Sequence, residues 1–199
     1  MTEKRDTELK DSNESRTNLY IRAEYQTKKW RNIQKWYKNG KHNECEIFQK
    51  KIIEEITKNK CIKTNERINI EKMDILLKTT PLKYKDGFEW TENFDGIMKI
   101  KKNNYYFNLK LVCDQEGAQN RTLREVYHFM KYQAEYLLKH KTENIFFINI
   151  LDGNACYIAL DKFNYLVNKS GYENIKKYNE ISRWIADYVE SVRFPRPKS

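Results

Sequence analysis

The chain contains 199 residues and carries a formal net charge of +10 at pH 7, with 38 lysines and arginines against 28 aspartates and glutamates. This length can bury the core of one domain, and the charge favours an anionic partner, nucleic acid before membrane, unless it only reflects a genome rich in lysine, asparagine and isoleucine codons. No apolar run could span a bilayer, no signal-peptide core follows Met1, and the four cysteines form no Cys-x-x-Cys pair, so we expect a soluble, intracellular protein with no membrane partner and no structural zinc site.

The amino-terminal segment divides into a polar tail and a basic, aromatic stretch. Residues 1–18 lack apolar periodicity, which is typical of a disordered tail. Residues 20–37 place Trp30 and Trp36 at helical spacing among lysines and arginines, which predicts a helix that ends before Gly40. Its aromatic side chains either pack on the core or form a surface for a nucleic-acid backbone.

Short apolar runs predict further elements before the middle of the chain. Residues 46–58 have the apolar period of an amphipathic helix. Ile68 and Ile70 indicate a strand, residues 73–77 indicate one helical turn, and residues 88–90 are a candidate strand.

The middle of the chain predicts an antiparallel hairpin. Residues 97–102 form a β-type run, the asparagines at 103–104 tolerate the positive φ of a tight turn, and residues 105–113 alternate between two faces. The odd-numbered face is apolar, whereas the even-numbered face carries Asn108 and Lys110. A lysine buried without a partner is costly, so we expect Lys110 to face a polar cleft or a carboxylate, unless its long stem carries the ammonium group to water.

The helix after this hairpin has the clearest start signal. Thr122 and Glu125 fit a capping box with Thr122 as the N-cap, and an apolar stripe at helical spacing follows. The polar loop before it delivers Gln119, Arg121 and Arg124 near a helix N-terminus, where amides and guanidinium groups can bind an anion. The two arginines could instead be solvated residues of the first turn.

The last part of the chain predicts one buried strand and two helices. Residues 144–151 form a continuous apolar run, which indicates a strand buried on both faces. A turn after it predicts that residues 155–160 return as its hairpin partner. Residues 161–167 suggest a short helix, residues 172–192 an amphipathic helix, and residues 195–199 a basic tail.

Together these elements predict a single α+β or α/β domain over residues 19–194. Their order, with Asp95 before the middle strand and Asn108-x-Lys110 inside the next, resembles the PD-(D/E)XK nuclease superfamily, which includes most restriction endonucleases. The family pattern is an acidic residue at one strand start, followed on a later strand by an acidic residue, any residue and a lysine. The resemblance implies a restriction-endonuclease-like mixed central sheet flanked by helices, with extra helices at both ends.

The resemblance also implies roles for particular residues. It assigns Asp95 and Asn108 to a Mg²⁺ site and Lys110 to positioning the attacking water, although the Asp-Gly pair at 95–96 could simply form a turn. Asn108 departs from the pattern, because an amide oxygen can ligate magnesium but brings no charge. The carboxylates that could complete the metal site are a group on or near the preceding helix, namely Glu54, Glu55 and Glu71, and a group closer to the hairpin, namely Glu89, Glu92, Asp114 and Glu116.

The expected function is therefore a Mg²⁺-dependent endonuclease that hydrolyses phosphodiester bonds in DNA, with RNA as an alternative substrate. Cleavage of both strands at a palindromic site would call for a homodimer. Two other functions stay open: a catalytically inactive nuclease-fold protein that binds nucleic acid, and an α+β interaction module whose charge has no binding role. No glycine-rich phosphate loop is present, which argues against nucleotide-driven enzymes.

Overall fold

The computed structural model describes residues 26–77, 88–114 and 117–169. Within them the chain mixes helices with two small sheets, which is an α+β architecture. In chain order the elements are α1 Lys28–Asn32, α2 Glu44–Thr57, β1 Glu66–Asn69, β2 Asp74–Leu77, β3 Trp90–Asn93, β4 Gly96–Ile100, β5 Asn103–Leu111, α3 Gly117–His140, β6 Ile145–Asp152, α4 Asn154–Ile158 and α5 Leu160–Lys169.

The larger sheet has the order β4-β5-β6 and contains both kinds of strand pairing. Strands β4 and β5 form an antiparallel hairpin, whereas β6 pairs parallel to β5 from Asn104↔Ile145 to Leu111↔Asp152. Parallel neighbours need a crossover connection, and α3 supplies it between β5 and β6. The central strand β5 is therefore paired along both of its edges.

Helices cover both faces of this sheet, which explains why β5 and β6 are apolar on both sides. Helix α2 packs on one face with the odd-numbered residues of β5, in a cluster that includes Ile52, Ile53, Phe107 and Ile148. Helix α3 packs on the other face. That cluster consists of Ile68, Phe94, Ile97, Tyr106, Phe129, Ala134, Tyr136 and Phe147.

The smaller sheet has the order β2-β1-β3 and joins the larger one through Phe94. Phe94 follows β3 directly, is fully buried, and has its ring centroid 4.7 Å from that of Tyr106, 5.0 Å from Phe129 and 5.4 Å from Phe147. Each aromatic pair adds to the free energy that is gained by burying the ring, and Phe94 forms three such pairs. Phe94 thereby fixes the position of residue 95 relative to β5.

Several predicted elements are confirmed. The hairpin, the helix over 46–58, the strand near Ile68, the buried strand over 144–151 and the short helix over 161–167 all occur, each with its bounds shifted by a few residues. The candidate strand over 88–90 lies slightly later, as β3. The predicted tails over 1–18 and 195–199 and the predicted helix over 172–192 lie outside the described residues.

The hairpin turn was predicted two residues too late. Ile100 pairs with Asn103, so Lys101 and Lys102 form the turn, and Lys101 takes a positive φ of 54°. This register places Ile97 opposite Tyr106 and keeps both in the core. Burial of the apolar faces sets the register, and it prevails over the turn preference of asparagine.

The predicted N-cap at Thr122 is wrong. Helix α3 begins at Gly117, so Thr122 and Glu125 lie inside it, and Glu125 pairs with Arg121 four residues earlier at 3.4 Å. The capping-box pattern also satisfies an ordinary helix interior, because residues three and four apart are neighbours on any helical surface.

The predicted return strand over 155–160 is also wrong, because the chain forms α4 there. Gly153 turns directly against the end of β5 with a positive φ of 96°, and a Cβ at this position would lie 2.1 Å from the Val112 carbonyl oxygen. Ala155 then donates its N–H to that same oxygen at 3.2 Å. This close approach directs the chain onto α3 rather than back along β6.

Two further predictions differ from the structure. Residues 74–77 form β2, paired antiparallel with β1, in place of the expected helical turn. Of the basic aromatic stretch, the described part is helical only over α1, and the aromatic rings of Trp30, Trp36 and Phe48 pack together, with Trp36 and Phe48 stacked at 4.3 Å. Trp36 therefore packs against α2 through Phe48.

Candidate active site

Lys110 lies between two carboxylates at the end of β5. Its Nζ is 3.0 Å from Glu92 Oε2 and 3.8 Å from Asp95 Oδ2. The Lys110 side chain is 19% exposed and that of Asp95 14%, while Glu92 is 37% exposed at the rim. The expectation that Lys110 faces a carboxylate is therefore confirmed.

The carboxylate of Asp95 is anchored to β5 by the main chain. Its Oδ2 accepts a hydrogen bond from the Leu109 N–H at 2.6 Å, and the Asp95 N–H donates to the Phe107 carbonyl at 2.8 Å. Two backbone contacts on one strand hold the carboxyl group against the residue that precedes Lys110. The Asp-Gly pair thus leads into β4 with its acid turned onto the neighbouring strand.

Burial and charge act in opposite directions on this pair. Burial raises the pKa of Asp95 to about 6, although the Lys110 ammonium and the Leu109 N–H both favour the ionised form. Burial also opposes the charged form of Lys110, but Asp95 and Glu92 outweigh it and hold the pKa of Lys110 above its usual value. The lysine therefore stays protonated at neutral pH.

Helix α2 brings a second ion pair to the same place. Glu46 Oε1 and Lys50 Nζ lie 2.8 Å apart with side chains 21% and 15% exposed, and the charges of both act on Asp95. Gly96 permits this approach, because a Cβ there would lie 3.3 Å from Lys50 Cε. The site thus gathers three carboxylates and two lysines from β3, the start of β4, β5 and α2.

Sequence reasoning missed the pair on α2. Glu46 is the third residue of α2, and its spacing to Lys50 matches an ordinary surface ion pair of a helix. The one local signal was the position of Glu46 at the start of the helix before the hairpin. Only the packing of α2 on the sheet distinguishes it from the other glutamates of that helix.

The carboxylates that the sequence proposed as metal ligands are placed elsewhere. Glu54 Oε1 accepts the Cys61 N–H at 2.9 Å, and its Oε2 lies 3.5 Å from Lys60 Nζ, so it closes the end of α2. Glu55 is exposed on α2, and Glu71 is exposed in the turn between β1 and β2.

The hairpin-side alternatives differ in their positions as well. Asp114 donates its N–H to Asn154 Oδ1 at 2.7 Å, and Asp114 Oδ1 accepts a hydrogen bond from Asn154 Nδ2 at 3.1 Å. Glu116 lies outside the described residues. Glu89 precedes β3, and its carbonyl accepts the Ile70 N–H. Among these candidates it is Glu92 that contacts Lys110.

Asn108 belongs to a network of three amides, in which Asn108 and Gln133 are buried and Asn149 is half-buried. It is 1% exposed, and its Nδ2 donates to Asn149 Oδ1 at 2.9 Å. Asn149 Nδ2 donates in turn to Gln133 Oε1 at 2.8 Å, and Gln133 Nε2 lies 3.3 Å from Asn149 Oδ1. The Oδ1 of Asn108 is buried without a hydrogen-bond partner in the described part of the chain.

The predicted nucleic-acid contacts lie on α3 rather than before it. Arg121 is exposed and paired with Glu125, and Arg124 is also exposed on the surface of α3. Gln119 lies in the first turn of α3, and its side chain is outside those described. The two arginines are therefore solvated groups within the helix and not desolvated groups at its N-terminus.

Some of the side chains at this site carry the oxygen donors that a metal ion needs. No group of three or more His, Cys, Asp and Glu side chains arranged to hold a metal is found within the described residues. Magnesium, however, is commonly bound by one or two carboxylates and completed by water and substrate phosphate. Asp95 and the Asn108 Oδ1, which is unpaired within the described residues, supply oxygen donors of that kind and fit such an ion, whereas Glu46 is already paired with Lys50.

Comparison with protein-family models, with curated proteins and with solved structures finds no match to the chain. Across the ranges 26–77, 88–114 and 117–169, no helix has the length and apolar character needed to cross a membrane.

Proposed function

We propose that the chain is a metal-dependent nuclease of restriction-endonuclease-like fold that hydrolyses phosphodiester bonds in DNA. One observation carries the proposal: Asp95 and Lys110, on neighbouring strands, meet at 3.8 Å in a partly buried cluster with Glu92. The arrangement of a helix, an antiparallel hairpin, a crossover helix and a parallel strand also agrees with what the resemblance implies. A net charge of +10 suits a polyanionic substrate.

The residues of the chain have separate tasks in this proposal. Lys110 stays protonated, so its ammonium group can stabilise charge that develops on the phosphate in the transition state. Asp95, held by the Leu109 N–H, offers its remaining carboxylate oxygen to a divalent ion. Such an ion, when bound, lowers the pKa of its water and neutralises phosphate charge. Glu46 lies near Asp95 with its carboxylate paired to Lys50, so it adds charge to a cation site only when that ion pair opens.

A catalytically inactive nucleic-acid-binding protein is the second candidate, and Asn108 favours it. The amide at the family's second acidic position donates its Nδ2 into a neutral network with Asn149 and Gln133. A carboxylate in the same network would have no donor to offer Asn149 Oδ1. The amide is therefore matched to its surroundings, as expected of a site adapted to a neutral residue.

A cleavage assay with matched lysine variants tests the proposal. Supercoiled plasmid is incubated with wild type, Lys110→Met and Lys131→Met, with Mg²⁺ or with a chelator. Lys131 is an exposed lysine on α3 that pairs with Glu135 at 3.9 Å, so it controls for loss of one positive charge. We expect Mg²⁺-dependent cleavage that Lys110→Met reduces by about 100- to 1000-fold, as for loss of one transition-state donor, while Lys131→Met cleaves normally.

Binding separates the two candidates. Wild type that binds DNA in a salt-dependent manner yet never cleaves it would support the inactive protein. Wild type that neither binds nor cleaves DNA or RNA would contradict both. If cleavage occurs and requires a symmetric site, a homodimer is expected, which sedimentation would detect.

A further inference from the structure

The amides of Asn108, Asn149 and Gln133 form one hydrogen-bonded network. Asn149 Nδ2 donates to Gln133 Oε1 at 2.8 Å, which turns the other end of the Asn149 amide, its Oδ1, towards Asn108. Asn108 must then present its Nδ2 to that oxygen. The carbonyl oxygen of Asn108 is consequently directed out of the network.

That oxygen is unusual for a buried atom. Asn108 is 1% exposed and Gln133 is 0% exposed, yet Asn108 Oδ1 has no hydrogen-bond partner within the described residues. Buried polar atoms are nearly always satisfied, and an exception calls for an explanation such as a bound ion or water. Asn108 is thus held by its Nδ2 while its Oδ1 stays unpaired within the described residues, and a bound cation is one explanation of such an atom.

The position of Asn108 indicates which ligand this is. It immediately precedes Leu109, whose N–H donates to Asp95 Oδ2, and it lies on the same face of β5 as Lys110. An unpaired oxygen acceptor on the strand that holds Asp95 suits a cation, because a divalent ion binds carboxylate and amide oxygens together. Outer residues that orient a metal ligand through its second hydrogen-bonding group are a common feature of metal sites.

We propose that Gln133 and Asn149 are positioning residues, which hold the Asn108 amide so that its Oδ1 can bind a divalent cation together with Asp95. This inference rests on the proposed nuclease function. In this arrangement Asn108 acts as an oriented neutral ligand, and β6 and α3 contribute to the site through Asn149 and Gln133.

Direct metal binding to the full chain tests the inference without relying on activity. Mn²⁺ affinity is measured by calorimetry and by the electron paramagnetic resonance signal of the free ion, for wild type, Asn149→Leu, Asn149→Asp and Gln26→Leu. Asn149→Leu removes the acceptor that orients Asn108, whereas Asn149→Asp keeps an oxygen there and lets Gln133 donate to it. Gln26 is 1% exposed and bonds to Gly153, so Gln26→Leu controls for loss of a buried amide.

We expect Asn149→Leu to weaken Mn²⁺ binding by about 10- to 100-fold, the effect typical of losing an outer partner of a metal ligand. Asn149→Asp and Gln26→Leu should bind close to wild type. If Asn149→Leu does not fold, Gln133→Leu, which removes the anchor of Asn149, replaces it.

The outcomes also separate this inference from the proposed function. Wild-type affinity in a folded Asn149→Leu or Gln133→Leu variant would overturn the positioning role while leaving the nuclease proposal intact. A wild type that binds no divalent ion would overturn both. Equal losses in Gln26→Leu and Asn149→Leu would mean that the network acts only through stability, and this result too would overturn the inference.

Discussion

The buried carboxylate of Asp95 predicts a specific dependence of stability on pH. Burial raises its pKa from 3.8 to about 6 in the folded protein, against the opposing effects of Lys110 and the Leu109 N–H. The folded state therefore binds this proton more tightly than the unfolded chain, so stability falls as the pH rises from about 4 to about 6 and Asp95 ionises. A difference of about 2 between the folded and unfolded pKa values corresponds to about 3 kcal/mol at neutral pH.

Asp95→Asn tests this value, because it keeps an oxygen for the Leu109 N–H and removes the ionisable group. The free energy of unfolding is measured in urea between pH 4 and pH 7 for wild type, Asp95→Asn and Glu125→Gln. Glu125 is 50% exposed and paired only with exposed Arg121 at the surface of α3 among its described contacts, so its variant should follow wild type. Asp95→Asn should gain about 3 kcal/mol relative to wild type over this range. Parallel curves for wild type and Asp95→Asn would refute the reasoning.

Three further outcomes follow from the same geometry. Gly96→Ala should lower the free energy of unfolding by about 1–3 kcal/mol in urea titrations, because the new Cβ would lie 2.5 Å from Cys61 Sγ, whereas Gly117→Ala meets no described atom within 4 Å and should leave stability intact. Arg124→Ala should reduce the slope of log K against log salt for DNA binding by about 0.9, since an exposed arginine that contacts one phosphate releases one counterion; an unchanged slope would place it away from the DNA. Asn108→Asp should raise Mg²⁺ affinity in calorimetric titrations, because magnesium prefers charged oxygen ligands and the Asn149 amide can turn its Nδ2 to the new carboxylate; unchanged or weaker binding would contradict this expectation.

Local signals in the sequence were sufficient for most of the elements near the site. The alternation of β5 and the continuous apolar run of β6 reflect burial on one or both faces, which any strand in these positions must satisfy. Start and turn positions were less predictable. The asparagines at 103–104 fit a local turn preference, and the core register around Phe107 and Tyr106 outweighs it. The capping-box pattern at Thr122 also suits the interior of a helix, and α3 begins at Gly117.

The sequence by itself predicted the α+β character and a polar cleft or carboxylate facing Lys110, and the family resemblance named Asp95 for the same site. A lysine in the middle of an apolar strand needs a carboxylate wherever it is enclosed, and Asp95 at the start of the preceding strand is the nearest one that a hairpin can supply. When the residues of a site lie on two adjacent strands, the spacing of those residues in the sequence indicates that they are close together.

Only the tertiary structure decided which other groups reach that pair. Glu46 and Lys50 approach Asp95 because α2 packs across the sheet at Gly96, and the orientation of Asn108 depends on Asn149 in β6 and Gln133 in α3. These contacts join residues far apart in the chain, and their geometry depends on how whole helices pack on the sheet. No periodicity or spacing records such packing, because it arises from the burial of many side chains at once.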